Sequence, residues 1–211
     1  MMNKKLKISL GVLIVVIISV IMTTILMHKP NNQGETNMNS DEKTLVVYFS
    51  RAGENYNVGT VEVGNTELLA KEIVAKTGAD EFKIVPTVTY PENYQEAIEK
   101  ATEERKAGAR PDYEGDVDIS GYDTIFFGYP IWWGDMPMVV YNFVEKHDWN
   151  GKTVVPFNTH EGSGNSGTYD ILKSKMAGAT LKGDGFNMSG STARTDDGIK
   201  KLDNWLGELG Y

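Results

Sequence analysis

The chain has 211 residues, no cysteine and a formal net charge of −8. Without thiols it has no disulfide framework, thiol catalysis or iron–sulfur ligation, and no lipobox cysteine for an acyl anchor. Residues 1–40 carry four lysines and one glutamate, leaving 17 basic and 28 acidic residues beyond them, and a body of net −11 disfavours nucleic acid and suits basic surfaces.

At the N-terminus Lys4, Lys5 and Lys7 precede Ile8 to Met27, twenty residues without a charge. That length matches the hydrocarbon core of a bilayer. It exceeds the usual apolar region of a cleaved signal peptide, and no small-x-small site follows at Thr23-Thr24-Ile25-Leu26-Met27. The expectation is a signal anchor over residues 1–28, a flexible polar linker over 29–43 and one α/β domain over 44–211. Lysines before the span and an acidic domain after it predict a single-pass cell-membrane protein whose domain is extracytoplasmic. Secretion after signal cleavage is the alternative.

Thr44 to Phe49 is a nearly unbroken apolar run rich in β-formers, as in a strand buried on both faces. It breaks into Ser50-Arg51-Ala52-Gly53-Glu54-Asn55, and polarity persists to Gly64-Asn65-Thr66, where helical spacing begins at Leu69, Ala70, Ile73 and Val74. A strand, a loop of Ser, Gly, Asn and Thr, and a helix N-terminus make an anion site. An ordinary connection capped by Asn65 is the other reading, but the loop is longer than such connections usually are. Gly59 to Thr66 has Walker A spacing with Asn65 in the lysine's place, and no GxGxxG follows the strand. Hydroxyls and backbone, with Arg51 as the only nearby cation, suggest a monophosphate.

Further on, Glu81 to Val85 reads as a strand and Asn93 to Lys106 as an amphipathic helix, with Tyr94, Ala97, Ile98 and Ala101 on one face. Strands follow at Asp123 to Gly128 and Lys152 to Phe157, and a weak edge strand lies within Ala179 to Met188. Helices are expected from Pro137, around Tyr169, Leu172 and Met176, and over Ile199 to Leu209. Five strands alternating with five helices mean a doubly wound α/β sheet. Ligands of such sheets sit at the carboxyl ends of the strands, here the loops after Phe49, Phe127 and Phe157.

The second of these loops, Gly128-Tyr129-Pro130-Ile131-Trp132-Trp133-Gly134-Asp135, holds adjacent tryptophans that a loop cannot easily bury together with their N–H groups satisfied. They suit stacking on a planar ring. The third, Thr159-His160-Glu161-Gly162-Ser163-Gly164, brings glycines and small hydroxyls that allow close backbone approach. His160-Glu161 lacks the third ligand or nucleophile that a metal or acid–base site requires.

These three loops, in this order at three strand ends, resemble those of the flavodoxin family. The resemblance covers Thr44 to Tyr211 and implies a five-stranded parallel sheet of order 2-1-3-4-5, helices on both faces, and bound FMN. The first loop is similar to the family's phosphate loop, with an insertion; Ser50, Asn65 and Thr66 are the first choices for the phosphate, with Arg51, Gly53 and Asn55 in the same loop. Trp133-Gly134-Asp135 matches the family's second loop, implying ring stacking and a Gly134 carbonyl able to turn toward flavin N5, with Pro130, Ile131 and Trp132 alongside. Thr159 to Gly164 corresponds to the loop that edges the pyrimidine ring. The expected function is an electron carrier with no catalytic side chain and no metal, serving a redox protein or the membrane quinone pool. An FMN-dependent NAD(P)H or quinone oxidoreductase is the alternative, with Tyr94, Tyr113 and the second tryptophan as possible walls of a second pocket.

Overall fold

The structure, a computed structural model, describes residues 42–211. The expected membrane span at 8–27 lies outside the described residues, and no described helix is long and apolar enough to cross a membrane.

After β1 (Thr44–Tyr48) the chain forms a small hairpin, β2 (Gly53–Asn55) and β3 (Gly59–Val61), before α1 (Asn65–Thr77). Then come β4 (Asp80–Lys83), α2 (Tyr94–Ala107), β5 (Thr124–Pro130), α3 (Met138–Lys146), β6 (Thr153–His160) and α4 (Thr168–Lys175). The chain closes with β7 (Thr180–Leu181), β8 (Phe186–Ser189), α5 (Gly190–Ala193) and α6 (Asp196–Leu209).

The large sheet is parallel, in the order β4-β1-β5-β6, with both β7 and β8 beside β6. This is the expected 2-1-3-4-5, except that the fifth strand comes in two pieces. Val154 pairs with Leu181 and Phe157 with Phe186, so two residues of β6 face four of the edge chain. The interruption lies opposite Pro156, which has no N–H to give the ladder. Gly185 fills the close approach there, since a Cβ on it would meet the Pro156 carbonyl oxygen at 2.8 Å. β6 runs past the expected Phe157 because Asn158 to His160 still find partners in β8.

Alternate strand residues face opposite sides. Leu45, Val47, Ile125 and Phe127 pack with Val139, Val140 and Phe143 of α3. Val46, Tyr48 and Phe126 pack with Leu69 and Ile73 of α1 and Leu202 and Leu206 of α6. Each large side chain so buried contributes on the order of 1.5–3 kcal/mol. Tyr113 is core, edge-on to Phe82 and beside Phe143. The helices end where their sequences direct: the Asn93 side chain accepts from Glu96 N at the start of α2, and Gly108 takes the left-handed conformation at its end.

Candidate functional site

The loops after β1, β5 and β6 meet at the carboxyl ends of the strands around one cavity of about 290 Å³. The first loop contributes Arg51, Asn55, Tyr56 and Asn65, the second Pro130 to Gly134, and the third Thr159, His160, Glu161 and Ser163. The α2 face of Tyr94, Ala97, Ile98 and Ala101 closes another side. Among the described residues no cluster of three or more His, Cys, Asp or Glu is placed to hold a metal ion.

In the first loop Ser50 is buried, and its Oγ accepts from Glu67 N at 3.1 Å, which ties the loop to the first turn of α1. Arg51 lines the cavity while its Nη atoms donate to the carbonyl oxygens of Ala52, Glu54 and Glu92. Its Nε is a buried donor with no acceptor among the described residues. Burial lowers the Arg51 pKa, opposed by the charges of Glu54 and Tyr94. A desolvated guanidinium with an unused N–H favours an anion. Gly53, at φ +88°, lies off the cavity wall and lets β2 approach the Glu92 backbone. Asn55 Nδ2 donates to the Gly53 carbonyl at 2.9 Å. Thr66 is also off the wall: its Oγ1 pairs with Thr159 Oγ1 at 2.7 Å, both residues buried, pinning α1 to the end of β6.

The structure adds a second cation to Arg51. Arg194, at the end of α5, donates from Nε to Asn65 Oδ1 at 2.8 Å and from Nη2 to the Val63 carbonyl. Burial lowers its pKa. Nothing in the local sequence signals this residue, which reaches the loop from the far end of the chain.

The second loop is a tight reversal. Trp132 N donates to Asp135 O at 2.8 Å and Asp135 N to Trp132 O at 3.0 Å. Between them Trp133 (φ +55°) and Gly134 (φ +72°) are both left-handed, the signature of a type I′ turn. The turn separates the two indoles. Trp132 points inward, edge-on to Phe49 at 5.5 Å and Tyr90 at 4.9 Å. Trp133 is 55% exposed and lines the cavity with Pro130 and Ile131. Asp135 Oδ1 accepts from Met136 N and Tyr141 OH, both at 2.7 Å, so this carboxylate holds the turn in place.

In the third loop Gly162 N donates to His160 Nδ1 at 3.0 Å, which places the ring proton on Nε2, 3.2 Å from Asn187 Oδ1. Glu161 Oε1 accepts from Ser191 N at 2.9 Å. The His160-Glu161 pair thus spends its polar atoms on its own loop, β8 and α5. Ser163 reaches the cavity, whereas Gly162 (φ +101°) and Gly164 (φ +61°) shape the turn off its wall.

A family profile described as flavodoxin matches residues 43–209. Among solved structures the chain is similar to a candidate flavoprotein from Bacteroides eggerthii, at 29% identity and TM-score 0.62 over 80% of this chain and 98% of that one. A second, from Bacteroides uniformis, matches at 27% identity and TM-score 0.62 over 77% of this chain and 98% of that one. A flavoprotein from Lactobacillus acidophilus, solved in complex with FMN, shares the fold at 18% identity and TM-score 0.53 over 77% of this chain and 99% of that one. No curated protein matches the chain.

Proposed function

The chain belongs to the flavodoxin family over residues 43–209, and on that premise we propose that it binds FMN in the strand-end cavity and passes electrons to a partner through it. The observation that carries this reading is that three loops far apart in sequence line one cavity.

The residues present fit the group. The unused Arg51 Nε–H and the positive N-terminal end of α1 beside Asn65 suit a phosphate monoester, while Glu67 N of that turn already donates to Ser50 Oγ. Arg194 adds positive charge at the same end by its bond to Asn65. Trp133 offers an exposed indole face to a planar ring, and Pro130 and Ile131 keep water from its edge. In the type I′ turn Gly134 has no Cβ to hinder its peptide, so the carbonyl is able to turn as acceptor to a ring N–H. When bound, FMN supplies reversible one- and two-electron chemistry. The acidic body raises the cost of negative charge on the ring and so favours a low potential. No side chain has to act as acid, base or nucleophile.

Titrating the flavin-free chain against FMN tests this. Flavin fluorescence is expected to quench with a one-to-one endpoint, and Trp133→Ala to weaken binding about tenfold. A chain that leaves FMN fluorescence unchanged sinks the assignment.

The charge-free stretch Ile8 to Met27 behind three lysines supports a further part of the reading. Residues 1–28 anchor the chain in the cell membrane with the domain extracytoplasmic, where a redox protein or the quinone pool exchanges electrons with it. The chain is expected to resist carbonate extraction and to be digested by protease added to intact cells. Recovery of a shortened soluble chain from the medium favours secretion instead.

A further inference from the structure

Asn65 is the first residue of α1, a place where an asparagine ordinarily accepts from a backbone N–H and caps the helix. Here it does not. The cap position falls on Gly64, and Asn65 Oδ1 accepts instead from Arg194 Nε at 2.8 Å, across 129 residues of chain. Arg194 Nη2 donates as well to the carbonyl oxygen of Val63. One guanidinium thus holds both the backbone and the side chain of the segment that leads into α1.

A guanidinium carries donors only, so this contact fixes which way round the Asn65 amide lies. Its oxygen faces Arg194, and its NH2 is the end left over. Asn65 lines the strand-end cavity, and among the described residues Nδ2 makes no hydrogen bond. Gly190 leaves the room for it, since a Cβ there would collide with Nδ2.

The charges at this corner make the arginine necessary. Glu161 also lines the cavity, and its carboxylate accepts from Ser191 N at 2.9 Å and Ser191 Oγ at 3.4 Å. An anion beside Asn65 would meet that carboxylate. Arg194 supplies the opposite charge one hydrogen bond away from Asn65. It does not itself line the cavity, so it acts through Asn65 and not by touching the ligand.

We propose that Arg194 is a positioning residue: by holding Asn65 Oδ1 it leaves Nδ2–H to donate to the flavin phosphate, so that the site selects FMN over riboflavin. A side chain locked by a neighbour in this way binds without first having to be ordered. The inference rests on the FMN reading above and assigns phosphate selection to a residue from the far end of the chain.

Paired titrations of the flavin-free full chain with FMN and with riboflavin test this, because only FMN carries the phosphate. The wild type is expected to bind FMN at least about tenfold more tightly than riboflavin. Arg194→Met is expected to weaken FMN binding about tenfold and riboflavin binding by less than about twofold. Asn65→Asp, which keeps the acceptor for Arg194 and replaces Nδ2 by an oxygen, is expected to show the same split. Competition by inorganic phosphate gives a reading that needs no riboflavin: phosphate is expected to displace FMN about tenfold less effectively from Arg194→Met than from the wild type. Unchanged FMN affinity in Arg194→Met overturns the proposal, as does an equal loss for both flavins or equal competition by phosphate. A wild-type chain that takes up neither flavin overturns the FMN reading itself, and this inference falls with it.

Discussion

At the scale of single residues, the site depends on buried polar atoms that have one partner each. Thr66 and Thr159 join α1 to β6 through one hydroxyl pair at 2.7 Å. Replacing either threonine by valine leaves the other hydroxyl buried and unpaired, at a cost of about 1–3 kcal/mol, whereas replacing both removes the unpaired group. Urea unfolding of Thr66→Val, Thr159→Val and the double variant is expected to show a double effect well below the sum of the singles. Strict additivity would mean the pair contributes nothing as a pair. The tryptophans divide at the same scale: both line the cavity, but the left-handed backbone at Trp133 and Gly134 packs the Trp132 indole against the core and leaves that of Trp133 exposed. Adjacent aromatics were visible in the sequence, but which of them faces inward depends on Phe49 and Tyr90, which arrive from other elements.

At the scale of elements, the β2–β3 hairpin is the part whose sequence said least. Gly53 to Val61 has no run of alternating apolar residues, so only the length of the loop marked it. The structure shows it held by Glu54, whose carboxylate accepts from both Tyr94 N and Asn93 Nδ2. Glu54→Ala is expected to speed amide hydrogen exchange across Gly53 to Val61 while leaving exchange in β1 and β5 unchanged, because the hairpin contributes nothing to either core. Unaltered hairpin exchange would show that Arg51 and the backbone suffice to hold it. The divided fifth strand has a similar origin, since the missing N–H of Pro156 matters only once another chain segment lies opposite it.

At the scale of the whole molecule, ion pairs between elements make stability depend on pH. Glu145 of α3 contacts Arg110, beyond the end of α2, and Lys175 of α4 at 2.6 and 2.9 Å. Hydrogen bonds from these two hold its pKa at about 2, below the ordinary 4.5. The unfolded chain therefore takes up this proton first as pH falls, so the contribution is present above about 4.5 and is lost between there and about 2. The group is exposed, so the effect is modest. Denaturant midpoints of Glu145→Gln and wild type are expected to differ at pH 6 and converge toward pH 2. A constant difference across that range would remove Glu145 from the acid response.

The sequence by itself determined the order of the main-sheet strands and the larger helices, and the three loops at the strand ends. Those features follow from local periodicity and from the rule that a parallel sheet presents its carboxyl ends to ligands. Only the tertiary structure decided that Arg194 joins the first loop, that Ser50 and Thr66 spend their hydroxyls on the fold, and that α2 turns its apolar face to the cavity. Each of these depends on a partner distant along the chain, and spacing within a segment carries no record of which distant atom will stand opposite.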